Sequence, residues 1–288
     1  MYDLLSLVKR HTLAFLRDKT AVFFSFLSVI ILLGLYFLFI GRQYTSDLPE
    51  TINEGTKTFL SVSVIMGGVL VINTVSLALG VMGNIITDLQ YKKLDAFLVT
   101  PVKRYKIILS YYITSIMVTS ILTLSMWVLT ILYVGIVGGH WYSLLTIVKV
   151  SGLIVFFTFI SASLMIFLTT ILKSVNAFGA LSGVLGTLIG FMSGIYMPLF
   201  VLGKSMAYVA SVVPFTHMTI LLKQILLKEP YALLPDGVAD QISLFYGTNE
   251  VGLFGQSVPM IWLMIISLVI SATLLYLAYR NMSKKMAK

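Results

Sequence analysis

Long apolar runs separated by short polar segments organise this chain of 288 residues. A helix needs about 20 apolar residues to cross roughly 30 Å of hydrocarbon. We therefore predict an all-α, polytopic membrane protein that forms a single domain over residues 1–288. The six runs long enough to cross are Ala21–Ile40, Phe59–Ile86, Ile107–Val134, Val150–Leu172, Ala177–Tyr196 and Val258–Tyr279.

The segment before the first run is amphipathic. Leu4, Val8 and Phe15 recur at helical spacing. We expect an interfacial helix within residues 1–20 that lies on the membrane surface. Its basic residues are expected to reach lipid phosphates: Lys9, Arg10 and Arg17.

Residues 197–257 differ from the spans. Pro198 and Pro214 divide the first part into two helices too short to cross, and a polar loop is expected from Glu229 to Ser257. Non-helical backbone at membrane depth is tolerated only beside protein or water. We predict an extracellular re-entrant hairpin between spans five and six.

Charge sets the expected orientation. Only 11% of the residues are charged, against about 25% in soluble domains. The termini and the loops on their side carry fourteen Lys and Arg against four acidic residues, whereas the opposite loops carry six against seven. Because basic loops stay inside, both termini are expected in the cytoplasm, in the plasma membrane of a bacterial cell. Orientation explains the basic excess, so no nucleic-acid partner is expected.

The sequence contains no nucleotide-binding motif of its own. Gly203-Lys204-Ser205 is the nearest approach to a phosphate-binding loop, but Pro198 occupies the first glycine position. There is no cysteine, the three histidines are scattered, and no charge lies near the centre of a predicted span. These features argue against a metal site, a proton-coupled carrier and a voltage sensor. We expect no enzyme activity and no cofactor on this chain.

Small and polar residues mark two spans. In the fifth, glycines in G-x-x-x-G spacing would let helices approach closely. Packing within one subunit is one explanation; a subunit seam or a surface that slides along the pathway is the other. In the second span, Asn73 favours an interhelical hydrogen bond over a substrate contact. The glycines are Gly179, Gly183, Gly186, Gly190 and Gly194.

A basic, amphipathic segment covers residues 87–106. A helical turn would present Leu94, Phe97 and Leu98 together, and Pro101 would end it. Apolar residues exposed on a cytoplasmic loop favour a groove on another protein. A loop that rests on lipid headgroups is the alternative.

The pattern D-x-x-x-x-x-L-D-x-F-L-V-T-P-V-K-R from Asp88 to Arg104 resembles the coupling loop of ABC type-2 exporter permeases. Gly194–Pro198 (G-I-Y-M-P) and Pro214 resemble the family's second signature, and the likeness covers nearly the whole chain. Lys92 and Lys93 depart from the family pattern, which usually has Gly-Thr at these positions.

The resemblance implies a separate ABC ATPase chain that holds ATP and Mg. A coupling helix would seat in a cleft of that ATPase, with the N-terminal helix bracing beside it. By resemblance the coupling residues are Asp88, Leu94, Asp95, Phe97 and Leu98.

The expected function is a permease subunit that exports a hydrophobic or amphipathic cargo, such as a drug, a lipid or a peptide. It would act with a second permease copy, identical or related, among membrane lipids. A carrier of lipid-linked polysaccharide or teichoic-acid-type polymer is the alternative within transport. A non-transporting sensor or scaffold that recruits a soluble partner is the alternative outside it.

Overall fold

A computed structural model describes residues 2–20, 22–24, 27, 52–94, 102–172, 174–192, 203–235, 237–246 and 258–285. Within them every extended regular element is an α-helix, which confirms the all-α prediction for this part of the chain. The helices are α1 (Tyr2–Arg17), α2 (Glu54–Gln90), α3 (Arg104–Val137), α4 (Leu144–Ile171), α5 (Val175–Met192), α6 (Gly203–Val212), α7 (Pro214–Tyr231), α8 (Val238–Tyr246) and α9 (Met260–Lys285).

Five of these helices are long and apolar enough to cross a membrane: α2, α3, α4, α5 and α9. They coincide with five of the predicted runs, and most extend past them into polar residues. The remaining run, Ala21–Ile40, is the first along the chain and lies almost entirely outside the described residues. Local signals set the starts of two helices. The side chain of Asn53 accepts a hydrogen bond from the backbone N–H of Gly55 before α2, and Pro214 opens α7.

Helix α2 is the centre of the bundle. It packs against α3, α4, α5 and α7, and Leu70 and Val71 at its middle are fully buried. Helix α1 lies against α3, and α9 lies against α4. By contrast, α5 and α9 leave most of their apolar surface exposed.

The bundle has two distinct ends. At one end α1 meets the end of α2 and the start of α3; we call this the α1 end. At the other, His140 after α3 lies 3.3 Å from the Thr56 hydroxyl at the start of α2, and α8 packs nearby. We call this the α8 end. The two ends are about 55 Å apart along the 37 residues of α2.

The predicted re-entrant region contains α6, α7 and α8. The hydroxyl of Thr216 donates to the Met192 carbonyl at 2.9 Å, so α7 begins where α5 ends and continues to the α8 end. The stretch predicted as a loop from Glu229 to Ser257 is not all loop. It includes the last turn of α7 and all of α8, because Val238, Ile242 and Tyr246, spaced by four, pack onto α2 and α7.

Candidate functional site: the Asp88 junction

The end of α2 is a tightly closed helix terminus. The backbone N–H of Lys93 donates to the carbonyl of Asp88 at 2.9 Å, and that of Lys92 donates to Leu89 at 3.2 Å. These bonds form a Schellman motif, whose turn requires a left-handed residue just after the cap. Lys92 takes that conformation, with φ of 54°. Glycine suits this position best. The pattern that the Asp88–Arg104 segment resembles usually has glycine in place of Lys92.

The carboxylate of Asp88 joins three elements. The Tyr111 hydroxyl of α3 donates to it at 2.6 Å. The guanidinium of Arg10, in α1, lies 3.7 Å away, and the ammonium of Lys93 lies 3.8 Å away. Asp88 is only 9% exposed, so water has little access to its carboxylate. Its negative charge is balanced instead by these partners within the chain. We call Asp88 and these three partners, together with His11, the Asp88 junction.

Helix α1 is held against α3 by contacts along its length. The ring of His11 stacks on that of Tyr111, with centroids 3.8 Å apart. The hydroxyl of Thr114 donates to the Val8 carbonyl at 3.3 Å. Burial, with help from the neighbouring Arg10 charge, lowers the pKa of His11 to about 4. His11 is therefore neutral at physiological pH, as its stacked and buried position requires.

An ion pair at the surface adds a further contact between α1 and α3. The ammonium of Lys106 lies 2.6 Å from the carboxylate of Asp3. Hydrogen bonding to Lys106 lowers the pKa of Asp3. Because water screens this exposed pair, it stabilises the contact between α1 and α3 less than the buried contacts do.

The predicted coupling residues have different environments. Asp88 and Leu94 are buried, Leu94 being only 2% exposed within the main core. Leu94 thus packs inside the helical bundle. Asp95, Phe97 and Leu98 lie outside the described residues.

The junction is also tied to α5. The side-chain oxygen of Gln90 accepts a hydrogen bond from the backbone N–H of Val175 at 2.8 Å. Gly83 faces the ring of Phe178, which a methyl group at Gly83 would approach to 3.2 Å. The end of α2, the start of α3, α1 and α5 therefore meet at one corner.

Three glycines of α5 face no described part of the chain. A methyl group at Gly179, Gly183 or Gly186 would meet no described atom within 4 Å. Gly190 is buried, and Gly194 lies outside the described residues. The described residues therefore leave this face of α5 open.

Asn73 is buried at 1% exposure, and neither atom of its amide has a hydrogen-bond partner among the described groups. Its neighbour Thr74 forms the interhelical bond expected in this stretch, with its hydroxyl 3.0 Å from that of Ser161 in α4.

Sequence reasoning missed Tyr111, His11 and the contact of Arg10 with Asp88. Arg10 was expected at lipid phosphates, yet its guanidinium lies beside Asp88. One signal was available: a lone acid at the end of an apolar run needs a partner, and Tyr111 lies one turn into the next run.

Five long apolar helices, with α2 at their centre, are typical of a multi-pass helical membrane protein. The sequence matches the ABC-2 type transporter family over residues 2–227, and the chain belongs to that family. It is thus the membrane permease of an ABC transporter, which lacks the ATPase, and ATP is hydrolysed on a partner chain. A comparison with curated proteins gives no match.

Proposed function

We propose that this chain is the permease subunit of an ATP-driven exporter, and that the segment after α2 is its coupling helix. The observation that carries the proposal is the Asp88 junction. A segment that receives force must be attached rigidly to the helices it moves, and Asp88 ties the start of that segment to α1, α2 and α3.

In this proposal Asp88 is a positioning residue. Its carboxylate is occupied by Tyr111, Arg10 and Lys93, so it orients the segment and leaves contact with the ATPase to the residues beyond it. Phe97 and Leu98 are the apolar pair that we propose to seat in the ATPase, with Asp95 beside them.

The α1 end is proposed to face the cytoplasm. The basic residues Lys92, Lys93 and Lys106 all belong to this end, in agreement with the rule that basic loops stay inside. The α8 end and the re-entrant region would then face the exterior.

A second permease copy is proposed to pack on α5. The open faces of Gly179, Gly183 and Gly186 support this contact, because small residues let helix backbones approach in lipid. The transport path would run beside this seam.

The proposed cargo is hydrophobic or amphipathic. Buried polar groups in the described helices are mainly hydroxyls, and α2, α3 and α4 carry no charge near their centres. Such a path favours a drug, lipid or peptide over an ion. A lipid-linked polysaccharide fits the same path. A transport assay should therefore include lipid-linked glycans as well as drugs, lipids and peptides.

The test co-expresses the chain with its candidate ATPase and replaces Phe97 and Leu98 by Asp. We expect loss of the complex and of cargo-stimulated ATP turnover, because two charges cannot enter an apolar cleft. The matched control, Phe97→Leu with Leu98→Met, keeps the apolar surface and should keep both activities. An intact complex with unchanged turnover in the Asp variant would refute the coupling assignment.

A non-transporting scaffold would give a different result. It would bind its partner through the same segment, yet reconstituted vesicles would show no ATP-dependent movement of any lipid, drug, peptide or lipid-linked glycan in the panel.

A further inference from the structure

Helices α7 and α8 form one unit. It makes a buried, close-packed contact with α2 and a polar surface contact with the start of α4. We infer that this α7–α8 unit is fixed to α2 and held to α4 by a releasable latch, and that Glu229 is the latch residue. The role of the latch in transport rests on the proposed function, whereas the contacts that form it lie within this chain alone.

The contact with α2 is close and buried. A methyl group at Gly67 would lie 2.6 Å from Cγ of Lys223 and 3.1 Å from its backbone nitrogen, so the two helices touch backbone to backbone. Lys223 is 5% exposed, and its ammonium donates to the Tyr246 carbonyl at the end of α8 at 3.1 Å. This bond ties α7 to α8 at the point where α7 touches α2.

An apolar cluster extends the same contact toward the α8 end. Leu60 and Val64 of α2 pack with Leu227 of α7 and Tyr246 of α8, all of them buried. Pulling the unit away from α2 would open this apolar cluster and separate two closely packed backbones. Exposing buried apolar side chains is costly, so we regard the contact with α2 as permanent.

The contact of Glu229 with the start of α4 is polar and lies at the surface. The carboxylate of Glu229 accepts hydrogen bonds from the Ser143 backbone N–H at 3.0 Å and from the Ser143 hydroxyl at 2.7 Å. It also accepts one from the Thr146 hydroxyl. Burial would raise the pKa of Glu229, but these hydrogen bonds outweigh it and lower that pKa. The carboxylate is thus held in its charged form.

The position of Glu229 also suits its charge. Ser143 is the N-cap of α4, where backbone N–H groups point outward and favour an anion. Because the contact is half-exposed, water can replace each donor when it opens. Opening therefore costs far less than separating α7 from α2.

Helix α2 links this unit to the Asp88 junction. A shift of α2 along its own contact with α4 would carry the α7–α8 unit with α2 and break the Glu229 contact at the start of α4. Glu229 is accordingly a positioning residue that keeps the α8 end closed until α2 moves.

The test uses distances between spin labels on the purified permease in nanodiscs, without any ATPase. The chain has no cysteine, so cysteines can be introduced freely at exposed sites. One pair joins α4 to the unit, Leu145 with Leu233; the other joins α2 to the unit, Glu54 with Leu233.

In Glu229→Ala we expect a longer and broader distance distribution for the α4 pair and no change for the α2 pair. Asp240→Ala removes an exposed carboxylate from α8 of the same unit and should change neither. If Glu229→Ala does not fold, Thr146→Val removes one hydroxyl donor from the α4 side, keeps the Ser143 cap, and should loosen the same pair to a smaller extent.

Two outcomes would overturn the inference. If both pairs broaden, the unit is not fixed to α2; if neither does, Glu229 is not the latch. A chain that binds no ATPase would refute the proposed function and leave these distances as they are.

Discussion

The bond between Tyr111 and Asp88 should be the strongest single contact between α3 and the end of α2. Asp88→Ala removes the acceptor of a hydrogen bond to a charged group, worth about 1.5–3 kcal/mol. The ion pairs add less, because the side chains of Arg10 and Lys93 are 42% and 55% exposed; each contributes at most about 1 kcal/mol. We expect a total loss of about 1.5–5 kcal/mol in the free energy of unfolding.

A double-mutant cycle isolates the Tyr111 bond. Tyr111→Phe alone should cost about 1.5–3 kcal/mol, and the double variant should cost little more than Asp88→Ala alone. The measurement is equilibrium unfolding in mixed detergent micelles. Asp3→Ala, which breaks only the surface pair with Lys106, is the control and should have a small effect. Strictly additive losses at Asp88 and Tyr111 would refute the bond.

The same variants decide how Asp88 acts in coupling. If Asp88 positions the segment, Tyr111→Phe should reduce cargo-stimulated ATP turnover in the complex, although it keeps the carboxylate. If Asp88 instead contacts the ATPase directly, Tyr111→Phe should leave turnover intact while Asp88→Asn abolishes it. The second pattern would contradict the positioning role.

Three further predictions concern stability, each read from thermal unfolding in detergent. Burial lowers the pKa of His11 from 6.5 to about 4. Its stabilising effect should therefore be complete above pH 6.5 and fall as the pH drops toward 4, by up to about 3 kcal/mol. His11→Gln should flatten this dependence; an unchanged slope would contradict the buried neutral ring. Lys92→Gly should stabilise the protein by about 0.5–1 kcal/mol, since φ is 54° there, and a loss would argue against the left-handed turn. Gly67→Ala should destabilise by about 1–3 kcal/mol through its clash with Lys223, whereas Gly152→Ala, in open space, should not; equal effects would refute the close crossing.

Hydropathy alone located the long helices but underestimated several of them. The second run was predicted as Phe59–Ile86, and α2 extends over Glu54–Gln90. Apolarity ends where the hydrocarbon is expected to end, while hydrogen bonding continues the helix until a cap stops it. Asn53 and the Schellman turn at Lys92 are those caps, and neither is apolar.

The long-range pairings could not be predicted from one sequence. Glu229 and Ser143 are 86 positions apart, and Tyr111 reaches Asp88 across the intervening segment. Such pairs depend on which helix faces meet. The apolar periodicity of a span carries little information on this point, because lipid and protein both accept apolar side chains. Lys223 shows the same limit, since its burial depends on Gly67 in another helix.

The bundle contains one continuous column and one broken column between its two ends. Helix α2 covers the distance without interruption. Helices α5 and α7 cover a similar distance in two pieces of 18 residues each, joined where Thr216 bonds the Met192 carbonyl. Both columns meet at the α1 end, through Gln90 and Val175. A displacement of that end would pass unchanged along α2, because an intact helix is stiff along its axis. It would be absorbed at the break between α5 and α7, because the helical hydrogen bonding of the one does not continue into the other. The α7–α8 unit would then follow α2 and not α5, and the two pieces of the broken column would shift relative to each other where Thr216 meets Met192.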